Sequence, residues 1–136
     1  AKDMSNYHIQ EAQLCNSKGN EISQIETNHD LHIKVKIFSP DKRVPGLSIG
    51  ILKADFPIYG TISDLHETAP IKLADNLYEY HVTFEQLKLL PADFTIKAFA
   101  MDPECLRLID TFEMPLRVYS ETTDSGVVQI ESEWSI

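Results

Sequence analysis

Cysteine is scarce in this chain. Cys15 and Cys105 are the two present in 136 residues, too few for a disulfide scaffold. One ends an expected strand and the other sits in an expected loop, so they read as two reduced thiols rather than as a bridge. Glycine is thin as well. The five glycines, at 19, 46, 50, 60 and 126, are scattered and never form the G-x-x-x-x-G-K-[ST] run that cradles phosphates. These residues therefore cannot hydrolyse a nucleotide alone. Positive charge is in deficit: 12 Lys and Arg face 21 Asp and Glu, for a formal net charge of -9. That balance argues against nucleic acid and against an anionic membrane surface, both of which reward dense Lys and Arg. It leaves neutral ligands open and fits a soluble cytoplasmic domain. No apolar run approaches the roughly 18–20 residues of a membrane span. The opening Ala1-Lys2-Asp3-Met4-Ser5-Asn6 is polar, unlike a signal peptide. With no Met at position 1, the chain reads as a fragment of a larger protein or a processed product.

Catalytic patterns are missing too. There is no G-x-S-x-G nucleophile elbow. Nothing singles out one pair of carboxylates for glycoside hydrolysis. Asp102, Glu104 and Asp110 gather near one turn, but without the central Gly of a calcium loop they read as a solvated acidic turn. His29 and His32 are three apart, so on one strand they face opposite sides and do not converge on a metal. No metal, no cofactor and no enzymatic activity are expected of these residues.

What is present is alternation. Hydrophobic residues make up 43%, enough for a core, and the length fits a single domain over 1–136, with 1–6 as a linker. Leu77–Met101 reads as two half-buried strands joined by an apolar corner. Tyr78, Tyr80, Val82 and Phe84 point one way along the first, and Phe94, Ile96, Ala98 and Ala100 along the second. Pro91 stops the ladder, and Leu87 with Leu89 or Leu90 plugs one end of the core. Strands are also expected at Tyr7–Cys15, Asp30–Phe38, Leu47–Lys53 and Thr111–Tyr119, the last with Pro115 marking an edge or a bulge. Shorter pieces follow at Glu21–Ile25, at Asp55–Thr61 (an edge strand carrying Pro57 and Gly60) and at Val127–Ile130. The segment 63–76 reads as mostly irregular. About eight strands with regular turn signals, and no helix beyond one turn at Glu85–Leu90, predict an all-β, immunoglobulin-like antiparallel β-sandwich.

The outward residues of four strands, placed in one sheet, form the candidate site. They are Lys34, Lys36 and Phe38; Ser48, with Gly50 and Leu52; Lys97, Phe99 and Met101; and Arg117 and Tyr119. In an acidic chain this face gathers four cations and several aromatics, and the small Ser48 and Gly50 would dish it. An aromatic ring can stack on the apolar C–H face of a sugar while long polar side chains reach its hydroxyls. The same face could instead be covered by a loop or another subunit.

Several stretches together resemble the C-terminal domain of Wzt-type proteins, the ATP-binding subunits of ABC exporters that move O-antigen polysaccharide. They are HIQEAQLCNSKGNEI, DLHIKVKIF, GLSIGILKADFPIYGTIS, VTFEQLKLLPADFTIKAFA, IDTFEMPLRV and SGVVQIESEW, which run through nearly the whole chain in the same order. The family often has a Gly and a Tyr where this chain has Ala92-Asp93-Phe94, which removes a tyrosine-corner hydroxyl. The resemblance implies a non-catalytic carbohydrate-binding module that recognises the non-reducing end of the glycan and docks it to its exporter. It also implies a cytoplasmic position at the inner face of the bacterial inner membrane, with the ATPase domain elsewhere in the parent chain and other exporter subunits as partners. It further implies a homodimer, with the C-terminal strand in 120–136 either exchanged between subunits or folded back on its own sheet. The alternative is a protein-interaction sandwich using the same face. The site residues come from the facing of the strands and not from the resemblance.

Overall fold

Strict two-residue alternation forces one face of a strand inward, and Leu31–Phe38 shows it in pure form. Leu31, Ile33, Val35 and Ile37 are fully buried, while His32, Lys34, Lys36 and Phe38 are half-buried on the other side. The computed structural model describes residues 4–66, 69–121 and 124–135, and in it such strands pack as two layers. The strands are β1 (His8–Cys15), β2 (Gln24–Glu26), β3 (Leu31–Phe38), β4 (Gly46–Lys53), β5 (Phe56–Ile62), β6 (Ile71–Ala74), β7 (Leu77–Phe84), β8 (Ala92–Met101) and β9 (Leu108–Tyr119). One sheet has the order β1-β3-β7-β6 and the other β2-β9-β8-β4-β5. The expected all-β sandwich is what forms. Pairing is antiparallel except for β2, which runs parallel to the end of β9.

Between the layers, Ile9, Ile33 and Ile37 of the first sheet meet Ile49, Ile96 and Leu116 of the second, all essentially without solvent contact. Ala98 and Ala100 are buried among these larger side chains. Leu87, Leu89 and Leu90 close one end, all buried. Their backbone is stitched in place: Asn28 N donates to Leu87 O and Leu87 N to His29 O, and the Thr27 hydroxyl donates to Leu89 O at 2.8 Å.

The chain passes from the first sheet to the second through residues 39–45. The Tyr78 hydroxyl donates to Lys42 O at 2.8 Å, and the buried Tyr80 hydroxyl to Pro45 O at 2.6 Å. Tyr7 donates to Asp41 at 2.6 Å, and Arg43 bonds both Asp41 (2.8 Å) and Glu104 (2.9 Å). The Tyr7 hydrogen bond, followed by those from Arg43, holds the Asp41 carboxyl well below the usual carboxylate range. Burial and the Asp41 carboxylate push the Tyr7 phenol up to about 12. The acidic turn is likewise committed to structure. Asp102 accepts from the backbone N–H groups of Leu106 and Arg107, Glu104 holds Arg43, and Asp110 accepts from Ile9 N at 2.8 Å.

Several boundaries differ from expectation, among them the short second strand, expected at Glu21–Ile25 and formed at Gln24–Glu26. Ile71–Ala74, in a segment expected to be irregular, is an edge strand on β7. All four of its residues are exposed, so it carries no buried–exposed rhythm for the sequence to show. Strand β9 begins at Leu108, three residues before the expected start. The strand expected at Val127–Ile130 reduces to a single bridge, Val128 with Leu89, flanked by hydrogen bonds from Leu90 N to Val127 O and from Gln129 N to Lys88 O.

Two predictions follow from this packing. A Cβ at Gly46 would collide with Cys105 Sγ and crowd Asp102 O and Met101 Cβ, both at 3.1 Å. Gly46→Ala is expected to cost about 1–3 kcal/mol of overpacking strain in a denaturant melt, and adding Cys105→Ala should recover part of it. The depressed Asp41 carboxyl stabilises the fold above the ordinary carboxylate pKa, and that contribution is lost as pH falls through its folded value. The Tm deficit of Asp41→Asn against wild type should therefore be full at neutral pH and shrink below about pH 4. A deficit independent of pH would show that the ionised carboxylate is not what stabilises the loop.

Candidate functional site

The two layers divide the expected site. Strands β4, β8 and β9 lie in one sheet, but β3 lies in the other, between β1 and β7. Lys34, Lys36 and Phe38 therefore face away from Ser48, Lys97, Phe99, Arg117 and Tyr119, with the whole core between them. Alternation tells which side of a strand faces out, but not which sheet the strand joins; the 39–45 crossover decides that. Phe38 stacks on His8, with ring centroids 4.9 Å apart. Met101, expected outward, is buried. A register shift between Ala100 and Met101 breaks the alternation there.

The outer face of the β4–β8–β9 sheet is set by register. Phe99 of β8 lies between Ser48 of β4 and Thr111 of β9, half-buried at the level of the sheet. In the next outward-facing row, Glu113, Lys97, Gly50 and Gly60 stand side by side across β9, β8, β4 and β5. The two facing glycines leave a strip of bare backbone beside the Phe99 ring. A Cβ at Gly50 would reach only ordinary contacts, 3.9 Å to Phe99 Cε2 and 3.8 Å to Tyr59 O, and one at Gly60 only Ile49 O at 3.9 Å. Core packing does not require glycine at either place. Their absence of side chains shapes the outer surface, a shallow dish edged by Phe99, Lys97, Leu52 and Ile62. Gly50 was legible as a small outward residue. Gly60 was not singled out for this face, because only the β4–β5 register reveals it as the partner of Gly50.

The cations of this face are paired. Lys97 meets Glu113 at 3.3 Å, and Arg117 meets Asp93 at 2.9 Å. The guanidinium of Arg117 holds the Asp93 carboxyl below its ordinary value. Such exposed pairs add little stability, but they leave the face polar with its charges locally balanced, rich in donors and acceptors. Arg117 and Tyr119 lie beyond the dish toward β2. Four residues of strand, about 13 Å, separate Arg117 from Glu113, so an extended ligand and not a single small molecule would touch both ends. Among the described residues, no group of three His, Cys, Asp or Glu side chains is placed to hold a metal ion.

A second surface lies at the end of the sandwich. An apolar groove of about 810 Å³ is lined by Phe56 and Tyr59 of β5, Phe84 and Leu87, and Val127 and Val128 near the C-terminus. Phe56, Tyr59 and Val128 are exposed, and beyond the groove Ile130 and Trp134 are 76% and 94% exposed.

No protein-family model matches the sequence, and no curated protein does. Among solved structures, the crystal structure of the C-terminal domain of Wzt superposes with a TM-score of 0.74 at 14% identity, over 97% of this chain and 84% of that one. Across almost its full length, this chain has the fold of a Wzt C-terminal domain.

Proposed function

We propose that this domain is a non-catalytic carbohydrate-binding module that receives the non-reducing end of an O-antigen polysaccharide and docks it to an ABC exporter. On this reading it works in the cytoplasm at the inner face of the membrane, joined to an ATPase domain and the other exporter subunits. The observation that carries the reading is the dish on the outer face of β4, β8 and β9. A half-exposed Phe99 stands beside a Gly50–Gly60 floor, with Ser48, Lys97 and Glu113 at its edge. A sugar ring needs an aromatic surface for its C–H face, close approach to backbone and several hydrogen-bonding side chains. The balanced charge suits a glycan whose recognised part is neutral. The shared fold with the C-terminal domain of Wzt supports the assignment.

Titration of the domain with O-polysaccharide, followed by calorimetry and by amide chemical shifts, tests this. Shifts are expected along β4 and β8 around Phe99. Phe99→Ala should weaken binding at least tenfold with the fold intact. Gly50→Val should fold, since a Cβ there meets no close contact, and should abolish binding by filling the dish. Full affinity in both variants would remove this face from the site.

The domain is further proposed to act as a homodimer in which residues 120–136 are exchanged. Exposed Ile130 and Trp134, on a segment that follows an apolar groove lined by Val127 and Val128, support this. Light scattering should give a dimer for the whole chain and a monomer after truncation at 126, with glycan binding by the folded monomer retained. A dimer that persists after truncation would count against exchange.

A further inference from the structure

The residues that fell on the opposite sheet are not used by the glycan face, and one of them stands apart electrostatically. On the outer face of β3, Lys36 lies 3.3 Å from Glu11 and 4.0 Å from Glu79. Lys34, two residues earlier, makes no ion pair among the described residues. Its cross-strand neighbours are Gln13 on β1 and His81 on β7, and His32 is the next outward residue along β3. The turn after β1 folds over this corner. Asn16, Ser17 and Gly19 form one wall of a hollow of about 170 Å³, with His32, Lys34, His81 and Thr83 around the rest.

The polar groups of this hollow form a relay. Thr83 Oγ1 lies 3.1 Å from His32 Nδ1, and Ser17 Oγ lies 3.4 Å from His32 Nε2. A neutral imidazole has one N–H, so it donates to one hydroxyl and accepts from the other. A protonated imidazole donates to both. Both hydroxyl hydrogens are then free to turn into the hollow. On the far side, His81 Nε2 is held by Glu79 at 2.6 Å. The charged and titratable groups facing the hollow or bordering it are Lys34, His32, His81 and Cys15, with Lys18 on the turn beside it and Lys36, Glu79 and Glu11 in the next row.

We infer that this hollow is a binding site for a tetrahedral oxyanion, a phosphate or phosphate monoester, held by Lys34, the Ser17 and Thr83 hydroxyls and the His81 imidazole, with His32 positioning the two hydroxyls from behind. The ammonium supplies the charge and the hydroxyls the directional hydrogen bonds. A hydroxyl that accepts from the His32 ring has its own hydrogen free to point at the ligand. The site lies on the opposite sheet from the glycan dish, so the two can be filled independently.

The test uses the whole chain and inorganic phosphate at fixed ionic strength, with sodium chloride as the matched control. Saturable amide shifts confined to Ser17–Gly19, His32, Lys34, His81 and Thr83 are expected. Affinity should fall at least tenfold in Lys34→Ala and at least threefold in the double variant Ser17→Ala and Thr83→Ala. It should be unchanged in Phe99→Ala. A parallel titration with glucose 1-phosphate separates the sources. Tighter binding than inorganic phosphate assigns the site to an esterified phosphoryl group, and equal or weaker binding to the free anion; either ranking supports an oxyanion site. Shifts that do not saturate, that chloride reproduces, or that survive Lys34→Ala would overturn it. Glycan binding that fails while phosphate binding persists would sink the carbohydrate reading alone.

Discussion

The passage of the chain from one layer to the other is the constraint on which the remaining geometry depends. Strands β3 and β4 are neighbours in sequence and carry the same pattern, yet they belong to different sheets. Tyr78 and Tyr80 hold the connecting residues by hydroxyl bonds to Lys42 O and Pro45 O, and Tyr7, Asp41 and Arg43 fasten its outer side. A buried phenol without a partner would be costly. The carbonyls of the crossover therefore satisfy the tyrosines as much as the tyrosines position the crossover. Once that segment is placed, β3 must pair with β1 and β7, and β4 with β8 and β5.

Much of the fold is written in period-two alternation. Ile33, Ile49, Ile96 and Leu116 announce their burial by spacing alone, and they are buried. Where alternation is absent or broken, the sequence is silent. Strand β6 exposes every residue, and the shift at Ala100/Met101 turns Met101 inward. The site was legible only in part for the same reason. Phe99, Ser48 and Lys97 could be read as outward residues, because facing is a local property. That Lys34, Lys36 and Phe38 belong to another surface could not, because sheet membership is set by contacts far apart in sequence.

The two outer surfaces differ in how charge is managed. On one, Lys97 and Arg117 each have a carboxylate within 3.3 Å. On the other, Lys36 is shared between two glutamates while Lys34 has no ion-pair partner among the described residues. A formal net charge of -9 thus describes neither surface. The long-range field repels anions, but screening over about 8–10 Å lets a local cation with hydroxyl neighbours act almost independently of it. The local electrostatics of each surface is set within single rows of side chains.

Strand β2 covers only Arg117–Tyr119 at the end of the long strand β9. At Pro115 that strand lacks an N–H, and the residue is exposed. An uncovered strand edge is a template for another copy to add itself, and then another, without limit. A proline there interrupts the row of donors, and the charged Glu113 beside it discourages close approach. The consequence concerns what kinds of assembly the domain permits. Addition of another copy along this part of the β9 edge is therefore disfavoured.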